Sequence, residues 1–397
     1  MTDSTRPAAS EPRKKIAAIV TTFFTNSHAD VIVTKFARGF PTDNGLLPPQ
    51  VEIASLYMDQ THANDVGVGL ADKCGIPIYQ SIPAALCLGG KDLAVDGVLS
   101  IGEHGDYAYN EKGQRLYPRR HFFEQICGVL ATSGLAIPVF SDKYLASSWS
   151  DARWMYDRAR QLDIPFMAGS SVPLFWRDPW LEHEIGAPIQ EALVVSYGDL
   201  EAYGYHAFEA LQAMVERRDG GETGIAAVQC LEGEDVWAAG KAGKWSAELA
   251  EAASALGEAG EGSAPENCGS PAAFLIEYTD GLRATVLHLP GHIRRWAYAA
   301  LVGGQIQATG LRSGREPFPH FSYLSLNIQE MFLTGVPQYP VERTLLVTGG
   351  ISALMDSRHE GLARLETPHL DVAYAPPESP PIRPTGSQPT GASTVPM

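Results

Sequence analysis

Short apolar runs alternate with longer amphipathic segments through the first part of the chain, and this alternation limits the fold more than any other feature. The longer segments have the length and apolar spacing of helices. Strands that alternate with helices of about 10–15 residues form a parallel sheet with helices on both faces. The sequence therefore predicts an α/β fold that begins with a Rossmann-like, doubly wound domain over residues 15–173. Its predicted strands are 16–20, 51–58, 76–79, 95–101, 137–140 and 165–169, and its predicted helices are 29–40, 63–74, 122–133 and 150–162.

A different pattern follows after residue 173, where strand-like runs succeed one another. Asp280-Gly281 carries the signal of a tight β-hairpin between two such runs. We predict an α+β domain with a largely antiparallel sheet over residues 174–374, serving substrate binding and oligomerisation. The Ala-, Glu- and Gly-rich residues 238–271 are predicted to be an insertion, a short helix between flexible linkers. The predicted strands are 189–197, 225–231, 272–279, 283–288 and 301–309, and the predicted helices are 205–217, 323–334 and 341–358.

Both ends of the chain are predicted to be disordered. Residues 1–14 are polar and have no apolar core of the kind a signal peptide needs. Residues 375–397 contain seven prolines in 23 positions, with Ser, Thr and Gly between them. Such a segment cannot bury enough apolar surface to offset the entropy of ordering it.

Composition excludes several classes of partner. The net charge of −16 opposes binding to nucleic acid or to an anionic membrane surface, since both need clustered Lys and Arg. No apolar stretch approaches the roughly 20 residues that span a bilayer. The five cysteines form no C-x-x-C pair, which predicts reduced thiols and a cytoplasmic protein. The partner we expect is therefore a small molecule, with neither nucleic acid nor membrane.

Three motifs point to one family. The strand end Asp142-Lys143-Tyr144 precedes a helix and a short strand, the segment 198–209 contains His206, and residues 332–358 carry Gly335 and Pro340. With these motifs the chain resembles the Gfo/Idh/MocA family (glucose–fructose oxidoreductase/inositol dehydrogenase) over residues 15–372. The resemblance implies an oxidoreductase that acts on a polyhydroxylated or carboxylated small molecule between its two domains. It also implies NAD(P) as cofactor and a homo-oligomer formed through the open face of the second-domain sheet.

Two residues are candidates for catalysis. The resemblance assigns proton transfer to Lys143 and acid–base chemistry on a substrate hydroxyl to His206. Both types of side chain suit these roles, because burial can lower the pKa of a lysine and the ordinary pKa of histidine lies near neutrality. Asp199 and Tyr203, close to His206 in the sequence, are predicted to bind substrate.

The loop after the first strand departs from the family. A dinucleotide site uses G-x-G-x-x-G so that the pyrophosphate can approach a helix N-terminus, whereas residues 21–28 contain no glycine and include Phe23 and Phe24. Side-chain hydroxyls and backbone N–H groups could still hold an anion there. The candidate cofactor-binding residues are Thr22, Thr25, Asn26 and, for the ribose, Asp59. An altered nucleotide mode or no nucleotide at all therefore stays open.

A second departure is the long loop that follows the strand ending at residue 101. It lies at the carboxyl end of a parallel strand, where open α/β sheets bind ligands. Arg119 and Arg120 could clamp a carboxylate or phosphate. The predicted substrate-binding residues of this loop are Glu103, His104, Asp106, Arg119 and Arg120.

Two other functions stay open on the same fold. The first is a non-redox lyase, isomerase or hydrolase, assisted by a divalent metal bound through Glu103, His104 and His206. Carboxylate and imidazole ligands suit zinc, manganese or iron, although no H-x-x-x-H or H-E-x-x-H spacing is present. The second is a non-catalytic ligand-binding protein in which the absent glycines mark a lost cofactor site.

Overall fold

The structure is a computed structural model that describes residues 12–378 and 381–394. Its strands are β1 (Lys14–Val20), β2 (Phe40–Thr42), β3 (Gly45–Leu47), β4 (Val51–Met58), β5 (Ile78–Tyr79), β6 (Gly97–Ile101), β7 (Val139–Asp142), β8 (Phe166–Gly169), β9 (Trp176–Asp178), β10 (Ile189–Ser196), β11 (Ile225–Glu232), β12 (Ala272–Tyr278), β13 (Arg283–His288), β14 (Ala297–Val302), β15 (Gln305–Arg312) and β16 (Leu365–Glu366). Its α-helices are α1 (His28–Arg38), α2 (Gly67–Cys74), α3 (Ile82–Leu86), α4 (Arg119–Ser133), α5 (Trp149–Gln161), α6 (Leu200–Val215), α7 (Glu234–Lys241), α8 (Ala247–Leu256), α9 (Ala264–Asn267), α10 (His320–Thr334) and α11 (Val341–His359). Short 3-10 turns lie at Val172–Leu174, Pro368–Leu370 and Gly391–Thr394.

The first sheet has six strands in the order β5-β4-β1-β6-β7-β8, and all its pairings are parallel. This confirms the predicted Rossmann-like half of the fold. Ile16 to Val20 are fully buried, as expected for a strand covered by helices on both faces. The strand order reverses between β1 and β6, so the crevice at their carboxyl ends is where such sheets bind ligands.

The second sheet has eight strands in the order β16-β11-β12-β13-β10-β14-β15-β9. All pairings are antiparallel except β10 with β13, which confirms the predicted, largely antiparallel sheet. The predicted hairpin at Asp280-Gly281 joins β12 to β13. The predicted strand 301–309 is wrong, because Gly303 and Gly304 have φ of 56° and 79° and turn the chain between β14 and β15.

Residues 238–271 are ordered, contrary to the expectation of a short helix between flexible linkers. Helices α7 and α8 lie on the face of the second sheet opposite α6 and α11. Val236 of α7, Leu249 of α8 and Trp245 from the turn between them pack in one apolar cluster with side chains of the sheet, namely Leu193, Val195, Leu231, Leu287 and Ala299. Because α7 and α8 cover this face, the open surface through which the resemblance implied pairing is not bare in this chain.

The boundary of the first domain also differs from the predicted residues 15–173. Helix α10 packs on the first sheet, although it follows the second sheet in the chain. Phe332 lies against Gly97 of β6, where a Cβ would come within 2.7 Å of its ring. Lys14 donates hydrogen bonds to the carbonyls of Phe332 and Leu333 (2.9 and 3.0 Å). The first domain therefore takes one of its walls from residues 320–334.

Part of the C-terminal segment contacts the body of the protein, although residues 375–397 were expected to be disordered. Asn327 and Ile382 exchange two backbone-to-side-chain hydrogen bonds. Arg383 is partly buried beside Glu182 and forms an ion pair with it. A partly buried ion pair and paired backbone groups can hold a proline-rich segment in place without a large apolar contact. Residues 1–11, 379–380 and 395–397, which the same expectation covered, lie outside the described residues.

Two further observations concern the whole described chain. Among the described helices, none is long and apolar enough to cross a membrane. The five cysteines are free, with Cys74 exposed and the other four buried.

Trp245→Ala tests the packing of the insertion. Trp245 is buried and donates a hydrogen bond to the carbonyl of Val236 (3.0 Å). Its loss opens a cavity under α7, so we expect the free energy of unfolding to fall by about 3–5 kcal/mol in urea titrations. Trp180, which is 45% exposed, supplies the matched control, and Trp180→Ala should cost no more than about 1 kcal/mol. Equal small losses in both variants would contradict the ordered insertion.

Candidate active site

The segment Asp142-Lys143-Tyr144, at the end of β7, supplies three side chains to the candidate site. All three side chains are buried, and each has a different partner. Asp142 pairs with His28, Lys143 with Glu103, and the Tyr144 hydroxyl donates to Glu201. Lys143 has a φ of 65°, a left-handed conformation that costs a non-glycine residue about 1–3 kcal/mol. The surrounding contacts therefore hold Lys143 in a conformation that it would not adopt alone.

Glu103 is a buried carboxylate between two cations. The Lys143 ammonium donates to Glu103 Oε1 (2.9 Å), and Arg119 forms an ion pair with Oε2. Burial would raise the pKa of Glu103, but Lys143 and Arg119, helped by His28 and His104, hold it well below its usual range. Glu103 is therefore ionised at neutral pH and fixes the Lys143 ammonium at one point.

His28 and Asp142 form an acid–base pair at the N-terminus of α1. His28 Nδ1 lies 2.7 Å from Asp142 Oδ2. An ionised carboxylate can only accept, so Nδ1 carries the proton and Nε2 is the basic nitrogen. Asp142 is fully buried, and its second oxygen has no hydrogen-bond partner among the described residues.

His206 is oriented by a second chain of hydrogen bonds. Its Nδ1 lies 3.0 Å from Ser170 Oγ, and the Ser170 hydroxyl donates to Glu209. When Glu209 is ionised, this direction requires Nδ1 of His206 to donate, which leaves Nε2 as the basic nitrogen. Burial, with Lys143 and His28, lowers the pKa of His206 well below its ordinary value. The resting imidazole is therefore neutral at pH 7.

Gly169 permits this second chain. Its φ is 132°, and a Cβ there would lie 2.3 Å from Glu209 Oε1. Any larger residue at the end of β8 would push Glu209 away from the Ser170 amide, which donates to both carboxylate oxygens at 3.0 Å.

These groups meet at one cavity of about 350 Å³ between the two domains. Four of the eight described non-glycine residues with positive φ line it, namely Asn26, His104, Lys143 and Phe318. Backbone strain of this kind concentrates at functional sites. The other lining groups include His28, Ser171, Phe175, Tyr203, His206, Trp296, Ser313 and His320.

The structure brings together some of the residues singled out from the sequence. Lys143, His206, His104, Tyr203 and Asn26 line the cavity. Glu103 and Arg119 lie behind Lys143 and act on the cavity through it. Burial and the nearby His28 lower the pKa of His104 to about 4, although Glu103 acts in the opposite direction.

Other predicted residues lie elsewhere. Arg120 pairs with Asp151 (2.9 Å) and lies 3.5 Å over the Trp154 ring, so it forms no clamp with Arg119. Asp199 caps α6 by accepting from the Ala202 amide. The backbone of Asp106 is bonded to Gln60. Two of these placements have local causes, since consecutive residues on a helix face different directions and helix ends use polar groups for capping.

The predicted cofactor residues have different surroundings. Thr22 is buried, and its hydroxyl has no hydrogen-bond partner among the described residues. Thr25 is exposed and borders a separate surface cavity beside α1 and α2. Asp59 accepts hydrogen bonds from the hydroxyls of Tyr57 (2.9 Å) and Tyr107 (2.7 Å).

The described residues offer no set of side chains that could bind the divalent metal of the alternative function. In the ranges 12–378 and 381–394, no three His, Cys, Asp or Glu side chains are grouped so that they could hold a metal ion. Of the three candidates, Glu103 already has both oxygens paired with cations. The residues present therefore do not fit the proposed divalent metal.

A larger surface groove of about 710 Å³ lies between α3 and α4. Its lining contains neither a histidine nor a buried ion pair, and it lies away from the carboxyl ends of the parallel strands. We therefore place the chemistry in the smaller interdomain cavity.

Sequence reasoning missed several groups at this cavity. His28 was treated as the end of a cofactor loop, and Ser170 and Glu209 were not considered as partners of His206. Trp296 completes the aromatic wall. The sequence did carry one signal for His28, because this residue begins a helix that follows a loop.

Comparison with known proteins supports the architecture. No family model matches the chain, and no curated protein matches its sequence. Solved structures do match it. GenD2 from gentamicin A biosynthesis, in complex with NAD, has a TM-score of 0.57 and 15% identity over 92% of this chain and 99% of its own.

Two other matches are similar in extent. Scyllo-inositol dehydrogenase from Lactobacillus casei, with NAD(H) and scyllo-inositol, has a TM-score of 0.54 and 11% identity over 89% of this chain and 99% of its own. UDP-N-acetylglucosamine 3-dehydrogenase GnnA from Acidithiobacillus ferrooxidans has the same TM-score and identity, over 89% of this chain and 100% of its own. The chain therefore has the fold of the Gfo/Idh/MocA dehydrogenases. This confirms the resemblance at the level of fold.

Glu103→Gln tests the buried ion pairs. The variant leaves Lys143 and Arg119 without a counter-charge, so we expect the free energy of unfolding at pH 7 to fall by about 3–5 kcal/mol in urea titrations. The exposed Glu366, paired with Arg364, supplies the control, and Glu366→Gln should cost less than about 1 kcal/mol. Because the folded pKa of Glu103 lies below its unfolded value, its contribution is present above pH about 4 and is lost as pH falls further. A loss below 1 kcal/mol in Glu103→Gln would rule out the pairing.

His320→Phe tests the buried imidazole. Burial, with Lys35 and His28, lowers the pKa of His320 to about 3. Between about pH 4 and 6 the unfolded chain therefore holds a proton on this residue that the folded chain lacks. As the pH is lowered through this range, the free energy of unfolding decreases by about 1.4 kcal/mol per pH unit for this group. The variant keeps the ring contacts with Phe175 and Phe321 (centroids 4.8 Å each) and should have a shallower slope. Urea titrations from pH 7 to 4.5 measure it, with the exposed His121→Phe as control, and an unchanged slope would refute the assignment.

Proposed function

We propose that the chain is an enzyme that carries out acid–base chemistry on one small hydroxylated or carboxylated molecule in the interdomain cavity. One observation carries the proposal. The Lys143 ammonium and the His206 imidazole line the same cavity, and each is held by its own buried carboxylate, Glu103 and Glu209. A binding protein would not need two such chains of partners behind its contact residues.

The two groups divide the work. His206 is neutral and accepts a proton from a substrate hydroxyl or carbon through Nε2. Lys143 donates one of its three N–H groups to Glu103, and the other two are available to a substrate oxygen on which negative charge develops. His28, oriented by Asp142, is a second base in the same cavity.

The walls favour a substrate with a polar edge and an apolar face. Tyr203 and Trp296 stack with their centroids 5.3 Å apart, and Phe175 lies beside Trp296. Such a wall packs against the C–H face of a sugar or cyclitol ring, while histidine, serine and lysine groups bond its hydroxyls. The volume of about 350 Å³ suits one small molecule.

Two reaction classes share this acid–base step. Oxidoreduction of a hydroxyl carbon is supported by the fold, which is that of dehydrogenases of sugars and inositols. A non-redox lyase, isomerase or hydrolase reaction is supported by the loop after β6, which is hydrogen-bonded to Asp59 and Gln60. Both support an enzyme whose first chemical event is proton removal by histidine.

Deuterium incorporation tests the proposal without a known product. The protein is incubated in D₂O with a panel of polyols, sugars and sugar acids, and loss of substrate C–H signals is followed by proton NMR, with product formation read from the same spectra. For any compound that turns over, Lys143→Met and His206→Asn should each lower kcat by about 100-fold or more, with KM changed far less.

The exposed Lys91→Met and His121→Asn serve as matched controls and should keep wild-type rates. If Lys143→Met and His206→Asn turn over at wild-type rates, the proposed active site is wrong. If compounds bind but none is converted or exchanged, the non-catalytic binding reading replaces it.

A further inference from the structure

The loop between β6 and α4, residues 102–118, crosses the sheet instead of turning back directly. In the sheet order, β1 lies between β4 and β6. Yet the loop that leaves β6 is bonded to residues just beyond the end of β4. Gln60 accepts from the Asp106 amide (2.8 Å) and donates to the Asp106 carbonyl (3.0 Å), and Tyr107 donates to Asp59. The loop must therefore pass over the carboxyl end of β1.

Contacts at the end of β1 show the same crossing. Thr21 donates to the carbonyl of Glu103 (2.5 Å). The Phe24 ring lies between His62, which follows β4, and His104, which follows β6, with centroid distances of 4.4 and 5.4 Å. Phe23 points the other way and is buried in the core against Gly67. One aromatic ring and one loop thus cover the end of the central strand.

The chain itself supplies partners at the N-terminus of α1 and in the turn before it. The Ser27 hydroxyl accepts from the amides of Phe24 and Asp30 (3.2 Å each), and the Asp30 carboxylate accepts from the Asn26 amide (2.8 Å). A pyrophosphate at this position would need those N–H groups and would meet the negative charge of Asp30. The carboxylate already serves as the anion of this helix end.

The loop is also fixed along its length. Gln114 is buried and donates to the carbonyl of Ser147 (3.2 Å), Arg115 donates to the carbonyl of Tyr107 (3.0 Å), and Lys112 forms an ion pair with Asp356 of α11. At its base, Glu103 is held by Arg119 and Lys143. These contacts tie the loop to both domains, so it is a structural part of the site.

We propose that residues 102–118 occupy the crevice in which this fold holds a dinucleotide, and that the protein therefore uses no exchangeable nicotinamide dinucleotide. The residues present do not fit that cofactor, because its pyrophosphate and ribose positions are taken by Phe24, Asp30 and the Asp59–Tyr107 pair. The inference deepens the proposed function, on which it rests for the location of the chemistry, and it favours the non-redox reactions over a nicotinamide-dependent one. Substrate then fills the interdomain cavity alone.

The first arm of the test measures cofactor binding. Wild-type protein is titrated with NADH and NADPH to about 1 mM, following nicotinamide fluorescence and thermal stability. We expect no saturable signal for either compound. Saturable binding of either dinucleotide by the wild-type protein overturns the proposal.

The second arm measures the loop by amide hydrogen exchange in the full chain. Residues 103–107 should exchange slowly in the wild type, and Gln60→Ala should accelerate their exchange by about 10-fold or more, because it removes both bonds to Asp106. Gln161→Ala, on the exposed face of α5, is the matched control and should leave the loop unchanged. Fast wild-type exchange, equal to that of Gln60→Ala, would show that the loop is not docked and would also overturn the proposal.

Neither arm uses Lys143 or His206. A failure of the proposed function appears as unchanged turnover in those variants, whereas a failure of this inference appears as dinucleotide binding or a free loop, so the two are distinguishable.

Discussion

Glu103 ties together the parts of the site that come from different stretches of sequence. Glu103 lies just after β6, a central strand of the first sheet. Its two carboxylate oxygens pair with Lys143 at the end of β7 and with Arg119 at the start of α4. Arg119 in turn lies 4.1 Å over the ring of Tyr144, which donates to Glu201 at the start of α6. A buried carboxylate without both cations would be costly, so the loop, the lysine and the helix adopt one arrangement together.

That arrangement separates the part of the structure that is shared with the dehydrogenase fold from the part that differs. The sheet and the crossover helices are those expected of the dehydrogenase fold. The space above β1 differs, since a loop held by Glu103 lies where glycines would otherwise admit a phosphate. The buried pair of Glu103 and Lys143 thus fixes both this lysine and the base of the loop that crosses the crevice.

Much of the frame could be predicted from the sequence, because buried apolar runs and helix-ending glycines such as Gly134 are local signals. The Asp142-Lys143-Tyr144 motif likewise pointed to Lys143, which lines the candidate cavity. The crossing of the loop could not be predicted, since it depends on bonds between Gln60 and Asp106, 46 positions apart. Arg120 was misplaced for a geometric reason, because two consecutive helix residues point about 100° apart and only one could face Glu103.

The placement of α10 has a consequence for the order in which the protein can fold during synthesis. The first sheet buries one face under Leu324, Ile328 and Phe332, which are made long after the last strand of that sheet. A nascent chain that has released only the first half therefore exposes an apolar surface that its own next 150 or so residues must later cover. The two domains are separate in architecture, but the ribosome must complete the second before the first can close.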